Sequence, residues 1–547
     1  MPALAQNPLL KQMILNAELK WVTPGNQAVH AESSGMLKSN LKGGGFVNRV
    51  WAFDLGASNG RLMVSEFDGE KIYLEEIHRF SNHPVHLTGH YYWDILRIFQ
   101  EMKKGMEKSI HKGYRSIEGM SVDTWGVDFG LISDTGELVG NPYSYRDYRS
   151  QDSLREIEKV IPQKTLFART GVQPAAINTI CQLYTMKNNH PELLDRAKTL
   201  LLTPNLINYF FSGVKASEYT ISSTTSLLNI QNRNWDMELV KKLELSAEMF
   251  PDIVMPGTIL GPIRASIQHE CGTGPVQVIS GAGHDTACAY AALPIKLDHS
   301  VFMSCGTWTL IGVQVKAPVI CDEALEWGLT NEGTADGEVR LLKNMMGMWL
   351  IQECRAAWAK EGMHFTYEEE GRLIRNAAAF TSLIDPDDPS FFNPVHMPTQ
   401  IRNFCIHSGQ QPPEKPGEYL HSILVSLSLK CRWIVEKLEH LTGRQIGTIH
   451  MGGGGIQNEL FCQFIANAAN RPVVAGPVEA SAIGNALTQW IALGEIKNLT
   501  EGREMVRNSF PLKIYEPQHL FEWQEAYGRF IDLLNTNARR HYHENSK

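Results

Sequence analysis

Four glycine-bearing turns in this chain could face a ligand, three suited to an anion and one to a hydroxyl proton. The first is Asp54-Leu55-Gly56-Ala57-Ser58-Asn59-Gly60-Arg61. Strand-like runs flank it, so consecutive backbone N–H groups would face whatever approaches, and Gly56 and Gly60 take away Cβ bulk. Ser58, Asn59 and Arg61 add donors suited to phosphate. Asp54, at the strand end, could hold magnesium through water. Read alone, this is also a plain hairpin turn with a solvated aspartate, and it is neither a Walker A loop nor a dinucleotide fingerprint. Ser304-Cys305-Gly306-Thr307-Trp308-Thr309 repeats the pattern with small hydroxyl residues. By itself it too is a hairpin. Two such turns, one in each half of the chain, fit two lobes gripping one polyphosphate.

The third turn is His450-Met451-Gly452-Gly453-Gly454-Gly455-Ile456-Gln457-Asn458. A strand runs into four glycines and then a helix, so backbone and helix N-terminus can approach a flat or anionic ligand. A flexible loop is the other reading, although four glycines cost backbone entropy that a connector need not spend. The fourth is Gly281-Ala282-Gly283-His284-Asp285-Thr286-Ala287. Asp285, kept ionised by the helix start, could act as general base on a hydroxyl. It reads equally as an N-cap worth ~1 kcal/mol, and His284 as a structural donor. The segment Ser121 to Phe129 places Asp123, Trp125, Gly126 and Asp128 between two strands. An aromatic face over C–H groups with carboxylates on hydroxyls suits a sugar; otherwise Trp125 and Phe129 are core and the aspartates belong to a turn. Asn344 precedes a helix carrying Gln352 and reads also as its cap.

These residues need an α/β scaffold to bring them together. Val50 to Leu55, Arg61 to Phe67 and Lys71 to Ile77 predict three hairpin strands. Trp93 to His111 carries Ile95, Ile98, Met102, Met106 and Ile110 at helical spacing. Strands are expected at Gly119 to Val122, Val127 to Ile132, Val276 to Ile279, Ser300 to Met303 and Thr309 to Val315. Helices are expected at His284 to Ala292, Met346 to Lys360, Glu418 to Leu441, Gln457 to Asn470 and Ala480 to Leu493. The hairpins at Asp54 and Ser304 suggest an internal duplication, with a boundary near residues 293–300.

A chain of 547 residues exceeds what one core sustains. A net charge of −8 does not suggest a nucleic-acid or anionic-membrane surface. Nine scattered cysteines without a C-x-x-C pair read as reduced thiols of a cytoplasmic protein, not as a zinc or disulfide framework. No apolar run approaches a membrane span, and no secretion signal opens the chain. Residues 1–47, rich in Gly, Ser, Asn and Lys from Thr23 on, read as a poorly ordered extension with a possible helix near Leu9 to Leu19. The extension is expected to be dispensable for folding and turnover.

In this order the motifs resemble the FGGY carbohydrate kinases of the hexokinase–actin superfamily, from about residue 49 to 500. The shared wording includes DLGASNGR at 54–61, DTWGVDF at 123–129, YRD at 145–147, GHDTA at 283–287, SCGTWTLIG at 304–312, LTNEG at 329–333, LKNMMGMWLIQ at 342–352 and AGPVEASAIGNA at 475–486. The resemblance implies two actin-like, ribonuclease H-like domains with ATP and sugar between them. They would span residues 48–295 and 296–515, followed by a C-terminal helix and tail at 516–547. It implies Asp285 as proton acceptor. It implies Ala57, Ser58, Asn59, Gly60, Arg61, Thr307, Gln352 and Gly454 at ATP, drawn from both lobes. It implies Gly126, His284, Asp285, Thr286 and Asn344 at the sugar. Asn59 stands where the family commonly has Ser; Asn tolerates left-handed turn geometry, so no loss is expected. The implied reaction is phosphorylation of a ketose, L-rhamnulose or a relative such as fuculose or xylulose, by ATP with Mg2+, in a monomer or small homo-oligomer. A non-catalytic ATP-dependent regulator on the same fold is the rival of another class.

Overall fold

The structure, a computed structural model, describes residues 48–295, 299–392 and 394–545. The expectations for residues 1–47 lie outside the described residues.

The strand Asn48–Leu55 is the hub of the first sheet. Its residues alternate between two apolar faces. Trp51, Phe53 and Leu55 pack with Ile98, Met102 and Met106 of the helix Ile95–His111 and with Phe211 of the helix Thr203–Ser212. Val50 and Ala52 face Ala289, Ala292, Ile483 and Leu487, on the helices Asp285–Ala292 and Ala480–Ala492. A strand buried on both faces has no polar alternation, which is why Val50 to Leu55 reads as one apolar run up to Asp54. Asn48–Leu55 pairs antiparallel with Asn59–Phe67, which pairs with Ile72–Ser81. Its other edge runs parallel to Gly119–Thr124, followed by Gln277–Ser280 and Thr258–Pro262.

The second sheet repeats this plan. Ser300–Cys305 pairs antiparallel with Trp308–Val315, which pairs with Val339–Met346 and through it with Thr330–Gly333. On its other side Ser300–Cys305 is parallel to Thr448–Gly452, which leads to Val473–Ala475 and Lys513–Tyr515. The two hairpins therefore occupy equivalent places in the two sheets. The helix Ala480–Ala492, late in the chain, returns to the first sheet and crosses Asp285–Ala292.

That crossing is held by backbone. A Cβ on Gly484 would stand 1.8 Å from the Cys288 carbonyl oxygen. No rotamer relieves a clash with a main-chain atom, so Gly484→Ala must push the helices apart. We expect it to cost about 3 kcal/mol, the upper part of the overpacking range. The check is chemical denaturation against Gly528→Ala, where nothing stands within 4 Å of the added carbon. Equal midpoints for the two variants would rule the account out.

Three of the element boundaries that differ from expectation have a visible cause. The strand expected from Val127 begins at Phe129 and pairs with Ala197–Leu202 outside the main sheet. Val127 has φ +67°, which a β-branched residue adopts only when held. Its N–H donates to Thr224 Oγ1 at 3.2 Å and its carbonyl accepts from Thr179 Oγ1 at 2.6 Å. Met346 stays in its strand, and the helix starts at Trp349 because Gly347 must lie against Thr309. The last helix of the Gly453 loop starts at Glu459, capped by Asn458 Oδ1, which accepts from Phe461 N.

Candidate active site

A cavity of about 700 Å³ brings together Asp54, Ala57, Ser58, Asn59, Arg61, Gly126, His284, Asp285, Thr286, Thr307, Asn344 and Gly454. Two residues that the family resemblance implies at ATP lie elsewhere. Gly60 sits beneath its turn, where a Cβ would meet the Phe80 ring at 2.4 Å and Leu55 at 2.9 Å; its smallness serves packing. Gln352 is exposed, in the first turn of the helix Trp349–Lys360, whose leading N–H at Trp349 donates to the Thr307 carbonyl at 3.2 Å.

Each turn is fixed from behind. Gly56 N donates to Asn59 O at 2.9 Å, while buried Asn82 donates from Nδ2 to Gly56 O at 2.7 Å and from its backbone to Ser58 O at 3.0 Å. At the second turn Gly306 N donates to Trp308 O at 2.9 Å. The glycine loop lies flush on it: Gly453 has φ +89°, and a Cβ there would be 2.7 Å from Cys305 O. Gly454 has no atom within 4 Å of its would-be Cβ, so its backbone is open to a ligand. The segment Gly283–His284 is anchored by Glu218, which accepts from Gly283 N at 3.0 Å, and by Thr220 Oγ1, which accepts from His284 N at 3.2 Å.

Asp285 is not the N-cap. His284 holds that position, without a side-chain capping bond, and Asp285 is the first helical residue. Desolvation in the cavity wall pushes its carboxyl up to about 6; His284 opposes this and the Asp54 carboxylate adds to it. Arg61 pairs with both Asp54 and Glu479. Burial lowers the Arg61 pKa, but these two carboxylates outweigh it and hold the guanidinium protonated well above its usual range.

Asp123 and Asp128 do not present carboxylates to a ligand, as the sequence suggested; both lie under the cavity floor. Asp123 is fully buried and accepts from Asn485 Nδ2 at 2.7 Å, and burial with Asp54 nearby pushes its pKa well up. Asp128 accepts from Trp93 Nε1 at 2.6 Å, Trp125 Nε1 at 2.9 Å, Gln182 Nε2 at 2.8 Å and Tyr145 N at 3.1 Å. Burial still pushes it up to about 6. It ties the Trp125 indole and the Tyr145 backbone, and both of these residues line the cavity. Sequence reasoning gave no role to Tyr145, Glu332, Lys343 or Glu479, all on the wall. Each stands inside or beside a quoted motif, which was the available signal. Arg79, which donates to Asn59 Oδ1 at 3.2 Å, had none.

Residues 50–292 match the N-terminal domain, and residues 301–493 the C-terminal domain, of the FGGY family of carbohydrate kinases. The chain belongs to that family. This FGGY kinase is 39% identical to the rhamnulokinase of Bacteroides thetaiotaomicron, over 88% of this chain and 99% of that one. It is 37% identical to the rhamnulokinase of Halalkalibacterium halodurans, over 86% and 99%, and 34% identical to that of Bacillus subtilis, over 86% and 95%. Among solved structures, a gluconate kinase from Lactobacillus acidophilus superposes with a TM-score of 0.75 at 17% identity, covering 90% of this chain and 98% of that one. A xylulose kinase from the same organism gives 0.75 at 16%, with the same coverage. The fold is thus the actin-like, ribonuclease H-like two-domain architecture, and the kinase phosphorylates a sugar at the expense of ATP. Among the described residues no helix is long and apolar enough to cross a membrane, and no cluster of three or more His, Cys, Asp or Glu side chains could hold a metal ion.

Proposed function

We propose that this kinase transfers the γ-phosphoryl group of ATP to O1 of L-rhamnulose, giving L-rhamnulose 1-phosphate in L-rhamnose breakdown: a rhamnulokinase. One observation carries the choice of ketose. Identity to rhamnulokinases is 34–39% along nearly their whole length, whereas xylulose and gluconate kinases of the same fold share 16–17%.

The site residues take the following parts. ATP phosphates lie against the turn at Ala57, Ser58 and Asn59 and meet Arg61, with Thr307 from the second lobe and Gly60 beneath the turn. The adenosine end follows Gly454, and Gln352, exposed outside the cavity, takes no part. Gly126, His284, Thr286 and Asn344 hold the sugar. Its O1 attacks the γ-phosphorus, the bond to the ADP oxygen breaks, and Asp285 takes the hydroxyl proton. The transition state is loose, so positioning and charge complementarity dominate. Magnesium fits at Asp54: a carboxylate at the phosphate turn, outside any cluster of three or more ligands among the described residues, suits an ion that keeps waters and binds phosphate oxygens rather than an all-protein cage. When bound it would neutralise charge on the β- and γ-phosphates. Closure of the lobes excludes water, the competing acceptor.

The proposal includes domains at 48–295 and 296–515, a C-terminal helix and tail at 516–547, and a dispensable extension at 1–47. It includes a cytoplasmic location, in keeping with nine free cysteines, and a monomer or small homo-oligomer. The test is ADP release with L-rhamnulose, L-fuculose and D-xylulose in turn. L-rhamnulose should give the largest kcat/KM, by at least about tenfold, the effect of one well-placed contact. A higher value for either other ketose would overturn the substrate. Equal ADP release without sugar would overturn the kinase reading of the site.

A further inference from the structure

Glu332 lies in the cavity wall but belongs to neither phosphate turn. It stands on the edge strand Thr330–Gly333 of the second sheet, directly across from Arg340. Arg340 is completely buried. It donates from Nη2 to Glu332 Oε2 at 3.1 Å, from Nε to Gly333 O at 3.2 Å and from Nη1 to Thr286 Oγ1 at 3.4 Å. The same Glu332 oxygen is 3.3 Å from His284 Nδ1. Asn344 lines the same cavity, and its side chain helps to lower the Glu332 pKa. One cross-strand ion pair from the second sheet therefore touches two residues of the sugar site, His284 and Thr286, and stands beside a third, Asn344. His284 and Thr286 stand at the start of the helix that packs on the first sheet, and Asn344 on a strand of the second.

The strand that carries Glu332 is itself docked on the first half. Gly333 N donates to Ser223 Oγ at 2.8 Å, and Asn331 N donates to Gly171 O at 2.8 Å. A Cβ on Gly333 would stand 2.6 Å from the Tyr219 ring. This seating leaves Glu332 little freedom. A buried carboxylate is stable only if its charge is compensated, and Arg340 and His284 compensate it at Oε2. Burial alone would raise its pKa, but His284 and Arg340 more than offset that and hold it below the usual carboxylate range. An oxygen kept anionic at 3.3 Å from Nδ1 favours a proton on that nitrogen. Nε2 is the ring nitrogen nearer Asp285, whose Oδ1 lies 3.6 Å away, while Thr286 Oγ1 lies beside both ring nitrogens, 3.2 Å from Nδ1 and 3.3 Å from Nε2.

We propose that Glu332, paired with Arg340, is the positioning residue of the sugar subsite: it takes the Nδ1–H of His284 and so sets the face that His284, Thr286 and Asn344 turn to the ketose. The inference rests on reading those three as sugar ligands. It assigns Glu332 no contact with ATP.

Two arms test it. The first needs no substrate. In ¹⁵N-histidine spectra of the wild-type protein at neutral pH, with the His284 signal identified by its loss in His284→Asn, Nδ1 should carry the proton. A proton on Nε2 with bare Nδ1 overturns the proposal. The second arm is kinetic, with whichever ketose the wild type phosphorylates, so a wrong ketose does not count against it. Glu332→Gln keeps the volume but leaves Arg340 without a counter-charge, which endangers folding. Glu332→Gln/Arg340→Met removes both charges and keeps the comparison open. In either variant the KM for the ketose should rise at least about tenfold, the effect of losing one charge-assisted bond, while the KM for ATP stays within about threefold. A parallel rise in both KM values would mark a merely structural role and overturn the proposal. So would an unchanged ketose KM in a variant that melts with the wild type.

Discussion

Replacing Asp285 by Asn is expected to leave a folded kinase that binds both substrates and turns over at least about a hundredfold more slowly, since general-base contributions are typically ~10²–10⁴-fold. The reason lies in the position of Asp285 on its helix. The cap residue is His284, so losing the carboxylate removes no side-chain capping bond. The favourable interaction of a carboxylate with the helix start, about 0.3–1 kcal/mol, is lost. Relief of a desolvated charge near Asp54 opposes that loss, so the melting temperature should hardly move. The pH profile gives a second readout. Desolvation places the Asp285 carboxyl at about 6. Above that pH it is ionised and can accept the proton, and below it activity must fall. With a pKa near 6, about nine-tenths of the base is available at pH 7 and about a tenth at pH 5. This acid limb should vanish in Asp285→Asn. A variant with near-normal turnover and a lowered melting temperature would return Asp285 to a structural role.

The second large effect is expected at Arg61. Its guanidinium bridges Asp54 and Glu479, two carboxylates more than four hundred residues apart in the chain. Arg61→Ala leaves both without their cation, close to Asp123 and Asp285. Truncating one partner of a buried charge pair costs about 2–5 kcal/mol. We expect kcat/KM for ATP to fall by about 10²–10³-fold, the middle of that range. A drop in melting temperature should accompany it, from the uncompensated Asp54. Arg61→Lys should fall between, because an ammonium keeps the charge but cannot span two carboxylates with one planar fork. ATP titrations at saturating ketose, with calorimetry beside them, are the measurements. An ATP KM within about threefold of wild type in Arg61→Ala would remove Arg61 from the nucleotide site.

The strands and the turns between them were legible in the sequence because their causes are local. An apolar run ending in Asp54 and a glycine, followed by a second run, has few other solutions, and Ser304 repeats it. The stripe on Ile95 to Met106 fixed a helix face by spacing alone. What was not legible depends on contacts distant in the chain. Val127 looks like the first residue of a strand, and only Thr179 and Thr224 hold it in left-handed geometry. Asp128 looks like a sugar ligand, yet two tryptophan N–H groups and Gln182 turn it inward. Glu332 could be matched to Arg340 only once the register of their strands was known, and to His284 only once that edge strand had docked on the first half. Gly60 and Gln352 show the opposite limit. Motif wording groups them with ligand-facing neighbours, but one is under the turn and the other is on an exposed helix face.

The contact between Gly484 and the Cys288 carbonyl also bears on motion. Two helices that touch through main chain at one point, with small alanine side chains around it, cannot slide along each other without a clash, but they can roll. Asp285 precedes Cys288 by one helical turn, and Glu479 lies just ahead of the helix that carries Gly484. Any roll about this point swings the base and the Arg61 partner through opposite arcs. Opening the cleft far enough to release ADP would therefore draw Glu479 away from Arg61 while turning Asp285 from the acceptor. Access to the site and competence of the site would then be set by one angle rather than by separate loops.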